Sequence, residues 1–198
     1  MRRFIIALLA VAPFALAGCD ALADIAGVDE FDLNLGDEAA FAVVPDTALT
    51  ASTQVDLNQS LPDVFDVEAI TIPEGAVSYT PAPDGSNRGG GNVCMMDLYI
   101  MVDQVPAVQA SIEIDEMAEN PVRRVTSRFA EGYDRETICA RAGDACPVIE
   151  DARTPDDIRA GVNAAVESGA FGLDLIASND GPCAGLLRAE RLHFALDY

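Results

Sequence analysis

The stretch from Val93 to Asp115, VCMMDLYIMVDQVPAVQASIEID, decides the fold. Cys94, Met96, Leu98, Ile100 and Val102 fall on one side of an extended chain, and Met95, Asp97, Tyr99, Met101 and Asp103 on the other. A period of two, with one apolar and one mixed face, is that of a strand that buries half its surface. The next segment repeats the device, Val108, Ala110, Ile112 and Ile114 alternating with Gln109, Ser111, Glu113 and Asp115. Two adjacent antiparallel strands are expected, turning near Gln104 to Pro106.

Shorter pieces of the same pattern precede it. From Phe31 onward the period is two, and Val55 with Leu57, Ile70 with Ile72, and Val77 with Tyr79 mark strands punctuated by Asn58, Pro62, Pro73-Glu74-Gly75 and Pro81. Residues 81–92, PAPDGSNRGGGN, hold Pro81, Pro83, Gly85 and the run Gly89-Gly90-Gly91, with no apolar period, and read as a flexible loop. A phosphate cradle there would need a following Lys-Ser/Thr and a helix, and the sequence offers neither.

One helix is well signed at about 155–168. Thr154 can cap it, Pro155 suits its first position, and Asp156 and Asp157 complement its dipole. Ile158, Val162, Ala165 and Val166 share a face, and Gly169 supplies the stop. A further short helix is expected at 134–142. Phe171, Leu173, Leu175 and Ala177, the turn Asn179-Asp180-Gly181-Pro182, and then Leu192, Phe194, Leu196 and Tyr198 read as a C-terminal β-hairpin. The expected class is mainly β: an antiparallel β-sandwich-like domain over 30–198 with a single well-signed helix.

The first residues have a separate logic. Met1-Arg2-Arg3 is basic, Phe4 to Ala17 is apolar, and Leu16-Ala17-Gly18-Cys19 follows. This arrangement resembles the lipobox signal of bacterial lipoproteins. The resemblance implies a signal peptide at 1–18 that is cleaved, lipidation of Cys19, and a lipidated tether at 19–29. The apolar run, about 14 residues, is shorter than the roughly 20 needed to span a bilayer, and Pro13 interrupts it. The implied location is the cell membrane, lipid-anchored, on its periplasmic or extracellular face.

With Cys19 acylated, Cys94, Cys139, Cys146 and Cys183 remain, an even number for an oxidising compartment. Four cysteines allow three pairings, and sequence does not choose among them. The reading adopted is a local Cys139–Cys146 loop and a long-range Cys94–Cys183 link. A four-thiolate zinc site fits less well, because no two of these cysteines have the close spacing such sites use.

The chain is strongly acidic, with 33 Asp and Glu against 12 Arg, no Lys, and a formal net charge of −21. Loss of Arg2 and Arg3 with residues 1–18 would take this to −23. Such a balance repels nucleic acid and anionic lipid. Among the arginines, Arg123, Arg124, Arg128, Arg135 and Arg141 crowd into 19 residues. Arg123, Arg124 and Arg128 are the candidate anion or partner contacts, since guanidinium matches carboxylate and phosphate; pairing with neighbouring acids is the simpler reading.

Catalytic signatures are missing from the sequence: the one histidine, His193, reads as a surface residue, and no H-E-x-x-H, G-x-S-x-G or P-loop occurs. Asp32 to Asp37 resembles the start of a calcium loop, but Gly36 comes one position early and Val43 stands where the closing Glu belongs. No catalytic residue, metal ligand or cofactor is assigned, with a looser calcium site left open. The expectation is a binding or structural module of the cell envelope with a protein partner and no nucleic acid. A carboxylate-based, calcium-assisted hydrolase is the alternative.

Overall fold

The computed structural model describes residues 29–35, 39–43, 47–57, 66–82, 93–131, 135–140, 146, 154–179 and 181–197. The signal segment 1–18, Cys19, the tether up to residue 28 and most of the 81–92 loop lie outside them.

Eleven strands and two α-helices are described: β1 (Glu30–Asn34), β2 (Ala40–Val43), β3 (Thr47–Asp56), β4 (Asp66–Thr71), β5 (Val77–Pro81), β6 (Val93–Val102), β7 (Val105–Asp115), β8 (Val122–Phe129), α1 (Arg135–Cys139), α2 (Pro155–Ser168), β9 (Ala170–Asn179), β10 (Gly185–Ala189) and β11 (Arg191–Asp197). Every strand pairing is antiparallel. One sheet has the order β3-β9-β6-β7-β8, and two smaller ones have the orders β1-β11-β4 and β2-β10-β5.

The two small sheets form one layer, bent where β10 passes into β11 at Glu190 and where the 3-10 turn Glu74–Ala76 separates β4 from β5. β1 runs on towards β2, β4 towards β5, and β10 into β11, in the same lateral order on both sides of the bend. At the bend Leu35 donates its N–H to the Glu190 carbonyl and Glu190 donates to the Ala76 carbonyl, so the ladder crosses the break. The molecule is thus a sandwich of this bent layer over a five-stranded sheet.

The 93–115 stretch forms β6 and β7 in the expected register, Cys94 opposite Ile114 and Leu98 opposite Ala110. The turn comes earlier than expected, at Asp103 and Gln104, both with positive φ (46° and 70°), as a two-residue hairpin loop requires. Pro106 lies within β7 instead of in the turn, and the ladder slips between Ile100 and Met101 opposite it. A slip of that kind is how a sheet accommodates a residue with no N–H to donate.

β8 is a strand the sequence reading did not identify. Its arginines obscured an alternation in which Val125, Ser127 and Phe129 are half-buried and Arg124, Thr126 and Arg128 are exposed. The C-terminal strands are present, but β9 and β10–β11 are not hydrogen-bonded to each other. The turn after Asn179 carries the chain between layers: β9 pairs with β3 and β6, whereas β10 and β11 fill the centre of the bent layer.

Helix α2 begins and ends as its sequence dictates. Thr154 Oγ1 accepts from the Asp157 N–H and the Asp157 carboxylate accepts from the Thr154 N–H, completing a capping box, and Gly169 closes the helix at φ 77°. Its buried face is Ile158, Val162, Ala165 and Val166. Asn163 ties it to the bent layer, accepting from the Val67 N–H at 2.7 Å and donating to Asp66 at 2.6 Å.

The core lies between the layers, from Met96, Leu98, Ile100, Ile112, Ile114, Leu173 and Leu175 on one side to Ile70, Leu187, Leu192 and Phe194 on the other. A second cluster sits on the outer face of the five-stranded sheet. There Ala48, Tyr99, Met101 and Ile176 are covered by Ile138 of α1, with Cys139 and Cys146 packed beside them. The sequence pattern assigns Tyr99 and Met101 to the mixed outer face; α1 is what buries them.

Candidate functional site

Register gives the sandwich two distinct ends. Towards one lie the starts of β6, β8 and β10 and the ends of β5 and β7; towards the other lie α2, the starts of β1 and β4, and the end of β11. The first is the cysteine end, the second the helix end. Chain leading back to Cys19 enters at the helix end, through Glu30 opposite Ala195.

Cys94 and Cys183 are bonded at the cysteine end, their Cα atoms 6.2 Å apart and both side chains buried. The bond joins the start of β6 to the segment leading into β10, and hence the two layers. Asn179, a buried amide, donates to the Cys183 carbonyl at 2.9 Å and accepts from the Gly181 N–H at 3.0 Å. A Cβ at Gly181 would stand 2.6 Å from the Cys94 Cβ, so only glycine lets the turn pass the disulfide.

A polar tie lies beside it. Glu116, in the turn after β7, accepts from the Tyr79 hydroxyl at 2.7 Å and from the Ala184 N–H at 3.1 Å. Burial, reinforced by the hydrogen bond to the Glu116 carboxylate and by its charge, pushes the Tyr79 hydroxyl well above its usual range. Around this end Val93, Met95 and Met117 are exposed, Met117 most of all at 74%.

The candidate arginines occupy β8. Arg123 meets Asp115 at 2.7 Å, and that guanidinium, with the Met117 N–H, holds the Asp115 carboxyl below the usual carboxylate range. Arg128 pairs with Glu131 at 3.2 Å and donates to Gln109 at 2.7 Å, and Gln109 in turn donates to Tyr99. Arg124 stands opposite Glu113 and is exposed. The structure therefore spreads the three along a strand, with Arg123 and Arg128 engaged by neighbouring side chains; they do not converge on one point. The Arg135 side chain and Arg141 lie outside the described residues.

His193 faces outward between two carboxylates of β1, Nδ1 at 3.0 Å from Asp32 and Nε2 at 3.4 Å from Glu30, while Arg191 also meets Asp32. The carboxylates address opposite ring nitrogens, so the trio clasps β1 to β11 instead of converging on a common centre. Asp32 and Asn34 belong to β1.

At the helix end an open cleft of about 340 Å³ is lined by Asp66, Glu68, Asp156 and Asp197 together with Arg159 and Asn163. Sequence reading did not find it, since its walls come from α2, β4 and β11 and no local motif links them. Arg159 also lies 5.8 Å from the Phe129 ring centre. Among the described residues no three His, Cys, Asp or Glu side chains are arranged to hold a metal ion, and no helix is long and apolar enough to cross a membrane.

The second disulfide, Cys139–Cys146, has its Cα atoms 5.5 Å apart and belongs to the cover on the outer face. Two disulfides in one chain indicate an extracytoplasmic protein. No family model, curated protein or solved structure matches the chain.

Proposed function

We propose that this protein is a lipid-anchored lipoprotein of the cell envelope, held through Cys19 on the periplasmic or extracellular face, and that its sandwich serves as a binding or structural module. The observation that carries the reading is the buried Cys94–Cys183 bond between the layers, a link that belongs to an oxidising compartment. The entry of the chain at the helix end supports it as well. A lipid at Cys19 would hold that end towards the membrane and turn the cysteine end, with exposed Val93, Met95 and Met117, away from it. The alternative, a carboxylate hydrolase, would draw on the cleft at the helix end. There Asn163 is occupied in joining α2 to β4, and the carboxylates share the wall with Arg159.

The test is the chemistry of residue 19 in the full chain expressed in a bacterium. Mass spectrometry of the purified product is expected to find acylated Cys19 as the first residue, and Cys19→Ala to move the protein from the membrane to the soluble fraction. A product that keeps Met1 and carries no acyl group would refute the proposal.

A further inference from the structure

The buried apolar side chains of this protein form two separate clusters, and a disulfide belongs to each. The main core contains Cys94 and Cys183, 4% and 0% exposed. The smaller cluster, Ala48, Tyr99, Met101, Ile138 and Ile176, has Cys139 and Cys146 at its margin, both only half-buried. A disulfide exchanges when a thiolate reaches one of its sulfur atoms, so access decides which bond opens first. Cys94–Cys183 is closed in by the core and by the turn at Gly181, and a thiolate reaches it only when the layers part. Cys139 lies at the solvent border of α1, between exposed Glu136 one turn before it and exposed Ala140 after it.

What the accessible bond holds is not self-supporting. α1 has five residues, far fewer than the ~12–15 that an isolated helix needs in water. It contributes Ile138, 2% exposed, to the cluster. The contrast is α2, fourteen residues long, which buries four side chains, closes a capping box and is tied to β4 through Asn163. A helix as short as α1 keeps its place through Ile138 and through the covalent link at its last residue, Cys139.

We propose that Cys139–Cys146 is a redox-sensitive latch: a dithiol opens it and leaves Cys94–Cys183 closed, and opening frees α1 from the outer face of the five-stranded sheet. The reductant is a small dithiol or the paired cysteines of an oxidoreductase of the same compartment. One of its thiolates attacks a sulfur of the bond, forming a mixed disulfide and releasing a cysteine thiolate. Its second thiolate then displaces the other cysteine, so the dithiol leaves as a disulfide. Two electrons pass to the cysteine pair, and the two protons of the dithiol end on Cys139 and Cys146. Tyr99, Met101 and Ile176 thereby lose Ile138 from their cover, while the strand ladders and the long link keep the sandwich closed. The latch holds whether or not Cys19 carries a lipid.

The test treats the oxidised full chain with dithiothreitol under native conditions, blocks the freed thiols with iodoacetamide and maps them by mass spectrometry over time. Cys139 and Cys146 are expected to be labelled about tenfold faster than Cys94 and Cys183, or more, because only the first pair is open to attack. Hydrogen exchange on the same samples should show α1 losing protection while the amides of β6, β7 and β9 keep theirs, and reoxidation should restore α1. The double variant Cys139→Ser, Cys146→Ser should show the released α1 without reductant and no further change at dithiothreitol concentrations that open the latch. Labelling of all four cysteines at one rate, or an opened Cys139–Cys146 pair with α1 still protected, would overturn the proposal.

Discussion

The two disulfides do different work although each joins one pair of cysteines. Cys94–Cys183 spans 89 residues, lies in the main core and binds one layer to the other. Cys139–Cys146 spans seven, lies outside the five-stranded sheet and shapes the cover over Tyr99, Met101 and Ile176. A crosslink restricts the unfolded chain more the longer the loop it closes. The difference teaches that the first bond defines how the sandwich halves meet, whereas the second defines only what shelters one of its surfaces.

The largest expected effect comes from opening the long link. Replacing Cys94 and Cys183 together by alanine should remove about 4.6 kcal/mol of chain-entropy stabilisation, a large part of what a domain of this size possesses. Chemical denaturation should register it as a shift of midpoint to lower denaturant. An unchanged midpoint would mean that the layers are held by burial alone.

Replacing Cys139 and Cys146 by alanine opens a much shorter loop and should cost less, about 2.5 kcal/mol. Here the diagnostic change is local: faster hydrogen exchange around α1 and greater accessibility of Tyr99, while the amides of β6 and β7 keep their protection. Equal losses in both double variants would erase the distinction between them.

The smallest effect concerns the polar tie beside the long link. Tyr79→Phe removes the hydroxyl that reaches Glu116 and should lower stability by about 1 kcal/mol at neutral pH. Because the folded state favours the neutral hydroxyl, its contribution is complete below the ordinary tyrosine value of 10 and is lost as pH rises above it. Stability curves of the parent and Tyr79→Phe measured from neutral to alkaline pH should therefore differ in slope above 10, the parent falling more steeply.

What the sequence discloses here is local. The alternation of 93–115, the Thr154 cap and the Gly169 stop are each written in neighbouring residues, and the strands and helix they specify are present. Cys94 on the apolar side of β6 was a pointer to its buried bond. Partner choice between distant strands is not local, and β9 looks the same in sequence whether it folds back on β11 or, as it does, inserts between β3 and β6. β8 escaped notice because arginine weakens an alternation that burial on one side still obeys. The cleft at the helix end escaped for a different reason: in a chain with 33 acidic residues, no carboxylate stands out until tertiary structure gathers a few of them beside Arg159.

β10 and β11 occupy the middle of their layer, flanked by β1 and β2 on one side and β4 and β5 on the other. β9 likewise separates β3 from β6. Strands synthesised early therefore have no permanent neighbours until residues beyond 170 have emerged, and the first third of the polypeptide must wait in an unfinished state. Such late closure favours slow maturation, leaves the nascent product open to premature association, and makes loss of the final thirty residues fatal to assembly instead of merely trimming its border.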